Sequence, residues 1–228
     1  AYDLATLLET IADAKGTENI ARVRLGSLEP TVVTEDFVRR IKKIEKICPH
    51  FHLSLQSGCN ETLKRMNRHY TTEEYKQACD LLRENFEDPA LTTDIIVGFP
   101  GETDTEFQET VSFAEKTGFY EIHVFKYSGR SGTKAASMID QIPEPVKIER
   151  SKTMLSLTKK QADAFRKAKF GAPQEILLEE PERIDGKEYL TGFTKDYVRI
   201  AVPINGYSRN EIATVVPVRL SDGILFTD

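Results

Sequence analysis

Four times in its first 130 residues the chain pairs an amphipathic helical stretch with a short apolar one, and each apolar stretch stops at polar or glycine-rich residues. Leu4, Leu7, Leu8 and Ile11 fall at helical spacing, ahead of a predicted strand over 21–27. Thr34 is placed to cap a helix with Phe37, Ile41 and Ile44 inward, ahead of a strand over 50–56. Tyr75, Cys79, Leu82 and Phe86 mark the next helix, and 91–97 the next strand, its end a continuous apolar run of the kind covered on both faces. Thr103 and Glu106 form a capping box for a helix with Phe107, Val111 and Ala114 inward, followed by a strand over 120–126. Strands alternating with helices imply a parallel α/β sheet with right-handed crossovers. Four strands do not close an eight-stranded barrel, so this is an open sheet or part of a larger barrel.

After Pro145 a long helix is expected to about Lys169, and the pattern then changes. Short strands are predicted over 174–179, 189–194, 197–202, 211–220 and 224–226, with turns at Asp185-Gly186 and Asp222-Gly223. Five short strands suggest a small β-barrel of oligonucleotide-binding size. The expected domains are 1–169, with a basic linker helix over about 145–169, and 170–228.

The net charge of −5 argues against nucleic acid, but its distribution is uneven. Residues 147–169 carry eight Lys or Arg against two acids, and 170–228 six against ten. The basic stretch reads equally as a solvated helix face. No run approaches the roughly 20 apolar residues that span a bilayer, and the first residues lack a signal-peptide pattern. Cys48, Cys59 and Cys79 give no even disulfide framework, so a reduced, cytoplasmic protein is expected.

In parallel α/β sheets, ligands bind beyond the C-terminal ends of the strands. Those ends carry Ser27-Leu-Glu29-Pro30, Gln56-Ser-Gly-Cys59, Gly98-Phe-Pro-Gly101-Glu102 and Tyr127-Ser-Gly-Arg130-Ser-Gly-Thr133, with Asp94 inside the third strand. One such end is an ordinary loop; four on one rim make a site. His50 and His52 share a strand face, and Cys48 and Cys59 lie close in sequence, a weak zinc signal.

Arg22-Val-Arg-Leu-Gly-Ser-Leu-Glu-Pro30, His52-Leu-Ser-Leu-Gln-Ser-Gly58 with Leu63-Lys-Arg-Met-Asn-Arg68, Asp94-Ile-Ile-Val-Gly-Phe-Pro-Gly-Glu-Thr103 and Phe125-Lys-Tyr-Ser-Gly-Arg-Ser-Gly-Thr133 follow in order. Together they resemble the strand-end motifs of radical S-adenosylmethionine methylthiotransferases. The tail, with Gly192-Phe-Thr-Lys-Asp-Tyr197, resembles the TRAM domain of that family. Residues 121–125 and 135–141 are most like the branch acting on N6-threonylcarbamoyladenosine at tRNA position 37, where a methylthio group is inserted at C2. The isopentenyladenosine and ribosomal-protein branches share most of these motifs, and a non-catalytic RNA-binding module is the alternative of another class.

The resemblance implies a partial (βα) barrel lacking its first strands, then the small all-β barrel. It implies S-adenosylmethionine and two 4Fe–4S clusters in the parent enzyme, whose ligands this chain lacks. Cysteines separated by 11 and 20 residues cannot make a Cys-x3-Cys-x2-Cys loop. The chain alone is therefore expected to be inactive, with no metal of its own; its partners are the tRNA anticodon loop and a missing N-terminal part of the same protein. A distant radical relative, oxygen-independent coproporphyrinogen oxidase, has Gln and Arg on its S-adenosylmethionine at the spacing of Gln56 and Arg68. By resemblance Gln56 and Asp94 take ribose hydroxyls and Arg68 clamps the methionyl carboxylate. Phe125, Lys126 and Tyr127 offer backbone to adenine, and Gly98 and Glu102 support that pocket. Glu29 is a weaker candidate, facing substrate or the cofactor amine. Lys195, Tyr197, Arg199 and Arg209 are the candidate RNA contacts.

Overall fold

A computed structural model describes residues 3–228. Helix α1 (Leu4–Asp13) is followed by β1 (Ser27–Leu28), α2 (Glu35–Ile41), β2 (His50–Leu53), α3 (Asn60–Arg65), α4 (Thr72–Asn85), β3 (Ala90–Val97), α5 (Asp104–Thr117) and β4 (Glu121–Lys126). The four strands form one parallel sheet in the order β1-β2-β3-β4. Local chemistry fixes the helix starts. Thr34 accepts from the Phe37 amide, and Thr103 with Glu106 closes the expected capping box.

The first strand is far shorter than 21–27. Ser27 and Leu28 pair with β2, and before them only Val23 bridges, to Ile47. Arg22 and Arg24 turn away from β2 instead: their guanidiniums donate to the carbonyls of Phe193 (2.7 Å) and Lys195 (3.1 Å) in the C-terminal part of the chain.

One face of the parallel sheet is apolar and packs under the helices. Phe51, Leu53, Leu91, Ile95, Val97 and Ile122 meet Phe37, Ile41, Tyr75, Leu82 and Phe107. Alternation puts His50, His52, Thr92, Asp94, His123 and Phe125 on the other face. The expectation of a third strand covered on both faces is thus corrected: Asp94 and Ile96 are only half-buried. The helices leave this polar face uncovered.

Helix α6 (Glu144–Lys167) leads to β5 (Gln174–Ile184), β6 (Lys187–Thr194), β7 (Arg199–Pro203), β8 (Ile212–Val215), β9 (Arg219–Ser221) and β10 (Ile224–Phe226). These make a second, mixed sheet in the order β8-β5-β6-β7-β10-β9. There are six strands rather than five, and β7 with β10 is parallel. The stretch 211–220 is not one strand, because Pro217 lacks the amide a ladder needs; β8 pairs with β5, and β9 with β10. Its two edge strands are separated by only residues 216–218, so the sheet must curl until its edges nearly meet. Asp185-Gly186 and Asp222-Gly223 make the expected tight turns, all four residues with φ between 46° and 81°. At Gly192 a Cβ would stand 2.0 Å from the Leu177 carbonyl oxygen, so the β5–β6 approach requires glycine.

The second sheet covers the N-terminal ends of the parallel strands. Ala90 and Tyr120, at the starts of β3 and β4, share a core with Ile176, Leu190, Ile200 and Leu225. His50, at the start of β2, sits 5.1 Å from the Tyr197 ring, and burial followed by the Arg24 charge pushes its pKa down to about 4. The opposite rim is left open.

Candidate cofactor pocket

On that open rim the polar face ends in a cavity of about 530 Å³. Gln56, Asp94, Phe125, Lys126 and Tyr127, all sequence-predicted, line it together. The chain reaches this arrangement through unusual backbone. Gln56 has φ +72°, its amide donates to the Asp94 carbonyl (2.8 Å), and its carbonyl accepts from Ile96 (2.9 Å). The pairing with β3 therefore continues past β2 while the side chain turns into the cavity. Ile96, Ser128, Arg130, Thr133 and Ala135 complete the wall; none of these is a candidate ligand from the sequence, although the run Tyr127-Ser-Gly-Arg-Ser-Gly-Thr carries the signal.

β4 is the edge of its sheet, pairing only with β3. The Tyr127 amide donates to the Val97 carbonyl (2.9 Å), and in a parallel ladder alternate residues face the same neighbour. The Lys126 amide and carbonyl therefore project from the open edge, in reach of a ligand with its own donor and acceptor.

Gly98 and Glu102 lie behind this wall rather than in it. Glu102 is 2% exposed; its carboxylate accepts the Gly98 amide at 2.7 Å and the Arg150 guanidinium at 2.7 Å. Burial, outweighing both partners, pushes its carboxyl above the ordinary range. Arg150 also donates to Asp104 (2.7 Å), so α6 holds the turn from both sides. One turn earlier Lys147 crosses Gly98, where an added Cβ would stand 2.2 Å from its Cγ, and donates to the Tyr127 carbonyl (3.1 Å). Glu144 pairs with both Lys126 and Lys147, which hold its carboxyl down to about 2. No sequence signal marked Arg150 or Lys147 as anything but members of a basic helix.

Arg68 and Glu29 lie off the cavity and face each other at 3.5 Å, both partly open to solvent. Of the candidate RNA contacts, Lys195 is 3.7 Å from Glu175, Arg199 pairs with Glu182, and Arg209 donates to the Glu179 carbonyl (3.0 Å). The Tyr197 ring stacks on Phe193 (4.6 Å) with the Arg24 guanidinium 4.3 Å from its centre, which places it at the domain junction.

The three cysteines are free and buried, Cys48 ahead of β2, Cys59 at the start of α3 and Cys79 inside α4. They do not converge on a cluster site. His50 and His52 do not gather Cys48 and Cys59 into a metal site; His52 instead meets Asp94 and His123, with one ligand atom of each lying within 4.8 Å of the others.

Residues 2–114 match the family model for the radical SAM superfamily, and the chain belongs to that superfamily. Its curated relatives are tRNA methylthiotransferases. The chain is 36% identical to the threonylcarbamoyladenosine tRNA methylthiotransferase MtaB of Chlamydia pneumoniae, over 95% of this chain and 49% of that protein. It is 41% identical to the tRNA-2-methylthio-N(6)-dimethylallyladenosine synthase of Caldicellulosiruptor saccharolyticus, over 71% of this chain and 34% of that protein. The counterpart from Symbiobacterium thermophilum is 36% identical, over 97% and 46%. The chain thus spans half or less of the length of these relatives. Among solved structures, coproporphyrinogen III oxidase (HemN) of Escherichia coli shares the fold, with TM-score 0.53 and 17% identity over 68% of this chain and 36% of that one. Both substrate types recur among the relatives, which therefore do not separate the two tRNA branches.

Proposed function

We propose that this chain is part of a tRNA methylthiotransferase that binds S-adenosylmethionine in the rim cavity. The observation that carries this reading is the convergence of Gln56, Asp94 and the open β4 edge at Lys126 on one cavity at the C-terminal ends of a parallel sheet. The donor set suits an adenosyl group: a carboxylate and an amide for ribose hydroxyls, a main-chain donor and acceptor for adenine, and the Phe125 ring beside them. In the whole enzyme, S-adenosylmethionine reduced by a 4Fe–4S cluster supplies the radical chemistry, and this chain's residues bind, orient and shield. The cluster's thiolates, and those of a second cluster, come from outside the three buried cysteines described here.

In this reading the curled second sheet is a TRAM domain that holds tRNA, the partner, through Lys195, Arg199, Arg209 and the basic face of α6, with Tyr197 at its base. Residues 1–169 carry the chemistry, residues 170–228 the RNA, and the enzyme works in the cytoplasm. The substrate is N6-threonylcarbamoyladenosine at position 37 of the anticodon loop, methylthiolated at C2. The dimethylallyladenosine branch is the second reading, favoured by relatives such as that from Caldicellulosiruptor saccharolyticus.

The test is complementation with the full-length gene in a bacterium lacking its own methylthiotransferases, with mass spectrometry of tRNA nucleosides. The 2-methylthio derivative of threonylcarbamoyladenosine is expected, and it should disappear with Asp94→Ala. Appearance of only the dimethylallyl derivative moves the enzyme to the other branch. Absence of both overturns the reading.

A further inference from the structure

We propose that His52, Asp94 and His123 form a site for one divalent transition-metal ion on the polar face of the parallel sheet. The three residues come from three adjacent strands. In the β3–β4 register Asp94 stands opposite His123, and in the β2–β3 register His52 stands opposite Thr92, two residues before Asp94. All three side chains leave the sheet on the face that the helices do not cover.

The distances fit a metal polyhedron. His52 Nε2 lies 3.3 Å from Asp94 Oδ2. Two ligand atoms bound to one zinc-sized ion at about 2.0–2.2 Å stand roughly 3.3–3.5 Å apart in tetrahedral geometry. That pair already holds the required span. All three ligand atoms lie within 4.8 Å of one another, so the third must close by up to about 1.5 Å. His123 supplies that freedom: it is exposed, and its ring centroid is 5.6 Å from that of His52.

The ring that must be fixed is fixed. His52 Nδ1 is 3.1 Å from Thr92 Oγ1, which turns Nε2 toward Asp94. Ligating histidines characteristically bond through their other ring nitrogen, and this sets both tautomer and orientation. The His52 and Asp94 side chains are only 13% and 26% exposed, so the site is sheltered on the sheet side and open on the uncovered side. Two imidazoles and one carboxylate, with positions left for water, suit zinc, iron(II) or cobalt(II) rather than the all-oxygen shells of magnesium or calcium. The competing account is a plain His52–Asp94 ion pair with His123 as a bystander.

The site shares Asp94 with the cofactor cavity, but its test needs neither S-adenosylmethionine nor RNA, and the His52 and His123 variants separate its failure from failure of the functional reading. The chain is stripped with a chelator and titrated with cobalt(II), following the visible absorption of the bound ion, and zinc is then added to displace it. One equivalent is expected to bind. His52→Gln, Asp94→Asn and His123→Gln should each weaken binding by at least about tenfold, while His69→Gln, at an exposed histidine elsewhere in the chain, should change nothing. Circular dichroism checks that each variant folds, and the exposed position of His123 keeps its variant decisive if His52→Gln unfolds. The site is overturned by failure to bind one equivalent, by full binding in His123→Gln, or by loss of binding in His69→Gln.

Discussion

Arg150 on α6 and Glu102 after β3 face each other across 2.7 Å with almost no water on either side; their side chains are 6% and 1% exposed. Removing Arg150 leaves the buried Glu102 carboxylate with the Gly98 amide and no charge partner, whereas removing Glu102 leaves Arg150 paired with Asp104. Arg150→Met should therefore lose about 3–5 kcal/mol of stability. Replacing both, as Glu102→Gln with Arg150→Met, should lose clearly less than the sum of the single changes. Urea unfolding of the four proteins measures this. Additive losses would mean that the pair is not a coupled unit.

At Gly192 and Gly98 the same substitution should behave differently. A Cβ at Gly192 meets main chain, 2.0 Å from the Leu177 oxygen, and nothing there can turn aside. Gly192→Ala should cost about 3 kcal/mol or more. A Cβ at Gly98 meets the Lys147 stem, which can swing, so the cost is mainly that of φ +73°, roughly 1–2 kcal/mol. Thermal unfolding should rank the two in that order. Gly98→Ala should in addition weaken cofactor binding in the full-length enzyme, because Lys147 leaves the Tyr127 carbonyl.

Arg68, which does not line the cavity, tests how far the cofactor site extends, without confounding the fold. Its only ion pair among the described residues is the 3.5 Å contact with Glu29, a surface interaction worth about 0–1 kcal/mol. In the full-length enzyme Arg68→Ala should weaken S-adenosylmethionine about tenfold to a hundredfold, as the loss of a charge-assisted hydrogen bond does. Lysine should restore only part, lacking the fork. Equilibrium dialysis decides, and unchanged affinity removes Arg68 from the site.

The thiols should be silent. Burial raises the pKa of all three, that of Cys79 to about 12. At pH 8 the folded chain should react with a thiol reagent only as fast as it opens, and urea should make all three react at once. For the same reason anaerobic reconstitution should leave no acid-labile sulfide on this chain; iron arriving with stoichiometric sulfide would contradict it.

Elements whose chemistry is local were legible in the sequence. Thr103 and Glu106 close their capping box within four residues, and Asp185-Gly186 and Asp222-Gly223 carry their positive φ in their own identities. The residues of the cavity wall were legible because strand ends announce themselves by glycine and polarity. What depended on a distant partner was not. Pro217 marks the split of 211–220 locally, but the strands its two halves join, β5 for β8 and β10 for β9, are set by distant pairing. His123 carries no local mark; its position beside Asp94 is a matter of β3–β4 register. Arg150 reads as a solvated cation in the sequence, and only Glu102 and Asp104, 48 and 46 residues away, give it a reason to be buried.

Helix α6 has 24 residues, about 36 Å of continuous rod. One end grips the pocket through Glu144, Lys147 and Arg150. At the other, Ala162 enters the second sheet's core, and Lys169, just past the last turn, pairs with Asp196. A rod anchored at both ends behaves as a lever. Any shift of the second sheet against the pocket would have to tilt or bend this helix, whose near end holds the turn at Gly98 and the Tyr127 carbonyl.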